Sequence, residues 1–221
     1  MGLPKGSTTD DTATARNLVR SLAERGGFDP EDLLARHLKW FASDPPDVGS
    51  LTRKVLARVQ TGASAKEAAR AVWEERGPEV SAGNGSVMYC APLGAAYANR
   101  PEELMRLAPE LSALTHHDER CRTAVLAVTH ATAGLARGEP AADAARSALL
   151  AAQGREGAEE LEYLVEAVGG TRPIDGPDQG FCLFTAAVGL QALPPEWLAR
   201  LVDREAIEAE AEALVPQAAR R

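Results

Sequence analysis

Apolar residues recur every three or four positions along most of the chain, and no stretch sustains the two-residue alternation of a half-buried strand. Leu33, Leu34, Leu38 and Phe41 show the helical spacing clearly. Punctuation residues set the boundaries. Thr9-Asp10-Asp11 opens a helix that runs to about Glu24 and is ended by Gly26-Gly27, and Asp29-Pro30-Glu31 opens the next with proline at its first position. Asp44 to Gly49 reads as a rigid loop, after which Ser50 and Ser64 open two more helices, the second through Trp73. Gly83-Asn84-Gly85-Ser86 is a loop before an apolar stretch. Helices are then expected from Pro101 to about Leu114, from His117-Asp118 to about Ala136, and from Pro140 onward. Residues 152–170 read as helix with loop, 175–180 as a turn cluster, and 181–193 as a buried apolar helix. Pro194-Pro195-Glu196 starts a final helical stretch with a break near Asp203. No repeat of fixed period is present, which disfavours a solenoid. The pattern predicts an all-α chain folded as one compact orthogonal multi-helix bundle, a single domain over residues 1–221.

Composition narrows the function classes. The 221 residues suffice for a sizeable core, and 45% hydrophobic with 25% charged residues is ordinary for a globular chain. The apolar runs are too short to span a bilayer, and the N-terminus lacks the apolar core of a secretory signal. A net charge of -8 argues against nucleic acid as the main partner. Cys90, Cys121 and Cys182 are few and scattered, as expected of reduced, buried thiols in a cytoplasmic protein.

Three motifs carry candidate chemistry. In Ser7-Thr8-Thr9-Asp10-Asp11-Thr12, adjacent carboxylates and hydroxyls offer hard oxygen donors suited to Mg²⁺, Mn²⁺ or Ca²⁺; the same residues also make a good helix N-cap. In Ser81 to Met88, the glycines around Asn84 permit positive φ and can expose backbone N–H groups to an anion, or form a plain turn. In Leu114-Thr115-His116-His117-Asp118, two of the four histidines meet at a helix junction, able to bond a ribose or phosphate or to cap the following helix. No third nitrogen or sulfur ligand stands at zinc-binding spacing.

Taken in order, Thr9 to Thr12, the Pro-Pro-Asp-x-Gly loop Pro45 to Gly49, the Gly-Asn-Gly-Ser-x-Met segment with its Ala-Pro-Leu-Gly sequel over Gly83 to Gly94, and Thr115 to Asp118 resemble the ADP-ribosylglycohydrolase family, which includes the dinitrogenase-reductase-activating glycohydrolases. Gly180-Phe181 and Leu193 to Leu201 around Trp197 extend the resemblance, which spans roughly Ser7 to Leu201. It implies an all-helical ADP-ribosylglycohydrolase-like domain with a cleft for two divalent ions, Mg²⁺ or Mn²⁺. It also implies hydrolysis of the bond between ADP-ribose and an acceptor, in an ADP-ribosylated protein or a small ADP-ribosyl compound. By the same resemblance Thr9, Asp10 and Asp11 are metal candidates, Gly83, Asn84, Gly85 and Ser86 contact ADP-ribose, His116 lines the cleft, and Asp47 is a further cleft candidate. No residue is singled out as the catalytic base.

The chain also departs from the family pattern. After residue 120 its aspartates are Asp143, Asp175, Asp178 and Asp203, none in the family's second metal motif, Asp-x-Asp-Thr. The acid-bearing Gly-rich helix that precedes Thr-Asp-Asp in the family has no counterpart before Thr9, Leu193 runs directly into Pro194, and Tyr89 stands where arginine is common. Two carboxylates and a hydroxyl from one segment are a poor cage for two dications, so weak metal binding is expected. The alternative is a non-catalytic member that binds ADP-ribose or a nucleotide, or serves as a helical interaction module.

Overall fold

The computed structural model describes residues 7–159, 161 and 202–215. Among these the chain forms nine α-helices and one short 3-10 turn, and no strand. They are α1 (Asp10–Arg25), α2 (Pro30–Phe41), α3 (Ser50–Gln60), α4 (Ala65–Arg76), the 3-10 turn Pro78–Val80, α5 (Ala91–Ala96), α6 (Pro101–Ala113), α7 (Glu119–Ala136), α8 (Ala141–Ala152) and α9 (Arg204–Glu212). The all-α expectation therefore holds over these residues. The apolar helix expected over 181–193, with Cys182, the turn cluster at 175–180 and the Trp197 segment all lie outside them.

Most helix starts follow the local chemistry that the sequence displays. The Asp29 carboxylate accepts from the Glu31 and Asp32 amides, and Pro30 occupies the first turn of α2. Ser64 and Glu67 form a reciprocal capping box on α4. Gly26, in the left-handed region at φ 73°, ends α1. Asp203 also has positive φ, 59°, and α9 begins immediately after it.

α7 is the central helix. It packs against α5, α6 and α8, and buries Val125, Leu126, Ala127, Ala131, Ala133 and Gly134. Its threonines are not misplaced in that setting. The hydroxyls of Thr123, Thr129 and Thr132 each donate to the carbonyl four residues earlier, so they arrive at the interface already satisfied. Small residues let neighbouring helices approach closely. A Cβ placed on Gly94 of α5 would overlap the Thr129 carbonyl oxygen and stand 2.9 Å from Thr132 Cβ; one on Gly134 would stand 2.9 Å from Ala144 Cβ in α8. The principal core gathers around this helix, with Leu18 and Leu22 from α1, Leu33 from α2, Leu93 from α5, and Leu104 and Leu111 from α6.

α9 is bound to α1 by charge. The Glu210 carboxylate accepts from Arg16 Nε and Nη2 and from Arg20 Nε and Nη2, while Arg16 Nη1 reaches Asp203. No described helix is long and apolar enough to cross a membrane.

The approach at Gly94 leaves no room for a methyl group against rigid backbone. Gly94→Ala should therefore destabilise the protein by about 3 kcal/mol, at the upper end of ordinary overpacking costs. Urea denaturation checks this, and a change under about 0.5 kcal/mol would show that α5 is not held against α7 in this way.

Candidate active site

A cleft of about 490 Å³ opens where five segments meet. Asp10 and Asp11 enter from the first turn of α1. Ser50 and Thr52 come from the start of α3, and Arg76 with Glu79 from the end of α4 and the turn after it. Gly83, Asn84 and Gly85 line another wall, and His116, just before α7, completes it. The cleft thus gathers six residues singled out from the sequence: Asp10, Asp11, Gly83, Asn84, Gly85 and His116. Thr9, Asp47 and Ser86 are not among its walls, and each does something else.

Thr9 occupies the N-cap position of α1 without making the side-chain cap that its sequence context invites; its hydroxyl donates instead to Asp11 Oδ2 at 2.9 Å. The cap comes from across the chain. Asp47 Oδ2 accepts from the Asp10 backbone N–H at 2.9 Å. The Pro45–Gly49 loop and the Thr-Asp-Asp segment therefore fix one another, and the Asp10 and Asp11 side chains stay at the cleft. Burial raises the Asp10 carboxyl above its ordinary pKa, and the neighbouring charges of Asp11 and Asp47 raise it further.

The glycine loop is shaped by an imidazole. His116 is only 2% exposed, and its Nδ1 lies 2.8 Å from Thr115 Oγ1. A Cβ on Gly85 would stand 2.9 Å from His116 Cε1, 3.0 Å from Nε2 and 3.1 Å from Thr52 Oγ1. One on Gly83 would stand 2.9 Å from Leu51 Cδ1 and 3.5 Å from His116 Nε2. Neither glycine has positive φ, so the requirement is space and not the backbone freedom that the sequence suggests. Burial pushes the His116 pKa down to about 4, which leaves the ring neutral at physiological pH. Ser86 turns inward: its side chain is fully buried, with Oγ 2.9 Å from Ser112 Oγ. The Cys121 thiol donates to the Gly83 carbonyl at 3.1 Å, and burial pushes its pKa up to about 12, so it is a support and not a nucleophile.

Asp118 anchors the wall behind His116. It caps α7 by accepting from the Arg120 amide, pairs with the Arg120 guanidinium at 2.9 Å, and accepts from Trp73 Nε1 of α4, also at 2.9 Å. His117 stacks edge-on against Trp73 and takes no part in the cleft. Sequence reading passed over Arg76 and Glu79. Their only signal is the helix-breaking Gly77-Pro78 between them, directly before the glycine loop.

For a metal, the donors present have suitable chemistry: two hard carboxylates, one of them crowded by like charge that a dication would relieve. They do not form a full set. Among the described residues no group of three His, Cys, Asp or Glu side chains is placed to hold an ion.

The chain is similar in sequence and fold to known proteins. The profile of the family described as ADP-ribosylglycohydrolase matches residues 1–181. An ADP-ribosyl-[dinitrogen reductase] glycohydrolase of Rhodospirillum rubrum is 31% identical over 137 residues, which are 60% of this chain and 44% of that protein. The match thus spans less than half the length of that relative. A solved ADP-ribosylglycohydrolase-related protein complex superimposes with a TM-score of 0.67 at 29% identity, covering 98% of this chain and 83% of that one.

Two outcomes follow from the geometry. Gly85→Ala should cost about 2 kcal/mol through overpacking against the buried ring, and His116→Ala in the same chain should recover part of that cost; strictly additive losses in denaturant melts would show that the two do not touch. Asp118 is held below the ordinary carboxyl range, chiefly by its hydrogen bonds from Arg120. A lowered folded-state pKa means that its stabilisation is present above the unfolded value and is lost as pH falls through the folded one. Asp118→Asn should therefore cost about 3 kcal/mol at pH 7 and progressively less as pH falls below about 4. An equal deficit at pH 7 and pH 3 would contradict the ion pair.

Proposed function

The chain belongs to the ADP-ribosylglycohydrolase family, and from that premise we propose that it hydrolyses the bond between ADP-ribose and an acceptor, in an ADP-ribosylated protein or a small ADP-ribosyl compound. The observation that carries this reading is the convergence of Asp10, Asp11, the Gly83–Gly85 loop and His116 on one cleft large enough for a nucleotide-sized ligand. Asp10 and Asp11 are the proposed metal-facing residues, with Thr9 orienting Asp11 through its hydroxyl. Asp47 is a positioning residue that fixes Asp10. Gly83 and Gly85 present no side-chain bulk to the ligand, Asn84 between them offers a polar side chain, and Ser86 holds that loop from beneath.

Hydrolysis requires the anomeric carbon of the ribose to lose the acceptor and gain a water oxygen. Positive charge develops on the sugar ring as the acceptor leaves, and the Asp10 and Asp11 carboxylates, which line the cleft, would stabilise it. A bound Mg²⁺ or Mn²⁺ would orient the ribose hydroxyls and increase the acidity of the attacking water. Neutral His116 supplies a hydrogen-bonding floor and no charge. The buried thiols of Cys90 and Cys121 accord with a reducing, cytoplasmic setting.

Calorimetric titration with free ADP-ribose, in Mn²⁺ and again in chelator, tests the proposal without knowledge of the acceptor. Binding should be about tenfold or more weaker in chelator, and Asp10→Asn or Asp11→Asn should remove the difference. Once a substrate is in hand, either change should lower kcat/KM about 100-fold or more. Metal-independent binding without turnover would instead identify a protein that reads ADP-ribose. Failure to bind in either condition would overturn the assignment.

A further inference from the structure

We propose that Arg76 is the anion-recognising residue of the cleft and fixes the diphosphate of an ADP-ribosyl ligand, an inference that rests on the function proposed above. Among the described residues lining the cleft, Asp10, Asp11 and Glu79 are acidic and Arg76 alone is cationic, since His116 is neutral. Arg76 forms no ion pair with any described residue, although most arginines of this acidic chain do. Its Nη2 donates to the Val80 carbonyl at 3.1 Å, and its Nε is buried without a hydrogen-bond partner.

The local chain explains how the guanidinium is held there. Gly77 leaves α4 with φ 83°, a conformation that favours glycine, and Pro78 starts the 3-10 turn that brings the Val80 carbonyl back to Arg76. The same turn is pinned to α7, because Arg120 Nη2 donates to the Pro78 carbonyl. The side chain is thus prepositioned, which reduces the entropy lost when it engages a ligand. A cation in the last turn of a helix also complements the helix dipole. That role alone would be served by an arginine pointing into solvent; it needs neither a place in a cleft wall nor a tether through Val80.

The division of charge suits one class of ligand. A guanidinium pairs with phosphate oxygens through paired, charge-assisted hydrogen bonds. The carboxylates of Asp10 and Asp11, by contrast, repel phosphate and accept from hydroxyls. A molecule in which a diphosphate adjoins a ribose with free hydroxyls, as in an ADP-ribosyl group, matches both, with its phosphates at Arg76 and its distal ribose at Asp10 and Asp11.

The test uses the full chain, calorimetry with ADP-ribose, and displacement by inorganic pyrophosphate. Arg76→Gln should weaken ADP-ribose about tenfold or more and abolish displacement by pyrophosphate, whereas Arg76→Lys should keep much of both. Melting curves should leave the three proteins alike. Equal affinity of wild type and Arg76→Gln for ADP-ribose would overturn the inference and leave the proposed function standing. Equal weakening in the glutamine and lysine variants, with lowered melting temperatures, would also overturn it, by showing a structural role. If the wild type binds neither ADP-ribose nor pyrophosphate, both readings fail. Pyrophosphate binding that depends on Arg76, with no affinity for ADP-ribose, would sustain the anion site and refute only the ADP-ribosyl function.

Discussion

The cleft depends on how closely α7 can be approached. Alanine, threonine and glycine make up most of its buried faces, beside Val125 and Leu126, and the threonine hydroxyls are satisfied within the helix itself. Gly94 lets α5 lie against the Thr129 carbonyl, and Gly134 lets α8 come near. With α5, α6 and α8 seated this way, the start of α7 has little freedom. That start carries Asp118, whose carboxylate joins α4 through Trp73 and the Pro78–Val80 turn through Arg120. His116 sits two residues earlier, so its ring is placed by the core and not by the cleft.

From that ring the rest of the site can be followed outward. The imidazole occupies the space that a side chain at position 85 would need, while at position 83 the close neighbour is Leu51, so the loop is crowded at both glycines. Cys121 and Ser112, on α7 and α6, hold the loop from behind. On the opposite side, the Asp47 carboxylate accepts from the Asp10 backbone N–H and ties the start of α1 to the cleft's edge. The cost of this arrangement is three carboxylates in one small region, felt in the raised pKa of Asp10. Charge crowding of this kind is usual where a site is built for a ligand and not for stability.

Much of the fold was legible because helix starts are written in local chemistry. Asp29-Pro30, Ser64 with Glu67, and Asp118 could each be read as caps, since a cap involves residues two or three apart. Thr9 misled for the complementary reason. Its sequence context is that of a cap, yet the group that caps α1 is Asp47, thirty-seven positions beyond the Asp10 amide that it accepts. The glycines of the 83–86 loop were recognisable as special, but sequence alone points to backbone freedom, whereas the constraint is the volume of side chains distant in the chain, Leu51 at Gly83 and His116 at Gly85. Arg76 was invisible because nothing local distinguishes it from the other arginines; only its lack of a counter-ion in a cleft wall does so.

The Thr-Asp-Asp segment shows why capping and ligand binding need not compete. A helix N-terminus presents backbone N–H groups that some acceptor must satisfy. If Asp10 or Asp11 carried the whole of that task, the carboxylates would turn back onto the helix. The distal loop relieves them of part of it: Asp47 takes the Asp10 amide, while Asp10 itself accepts only the weaker bond from the Asp11 amide at 3.1 Å. The helix dipole still favours negative charge at this end, so the two acids can be held close together and partly desolvated without unfolding the first turn. The Pro-Pro-Asp-x-Gly loop thus touches the cleft through Gly49 but acts on it chiefly through Asp47, which does not line it. Its aspartate does structural work that frees two others to face the cleft.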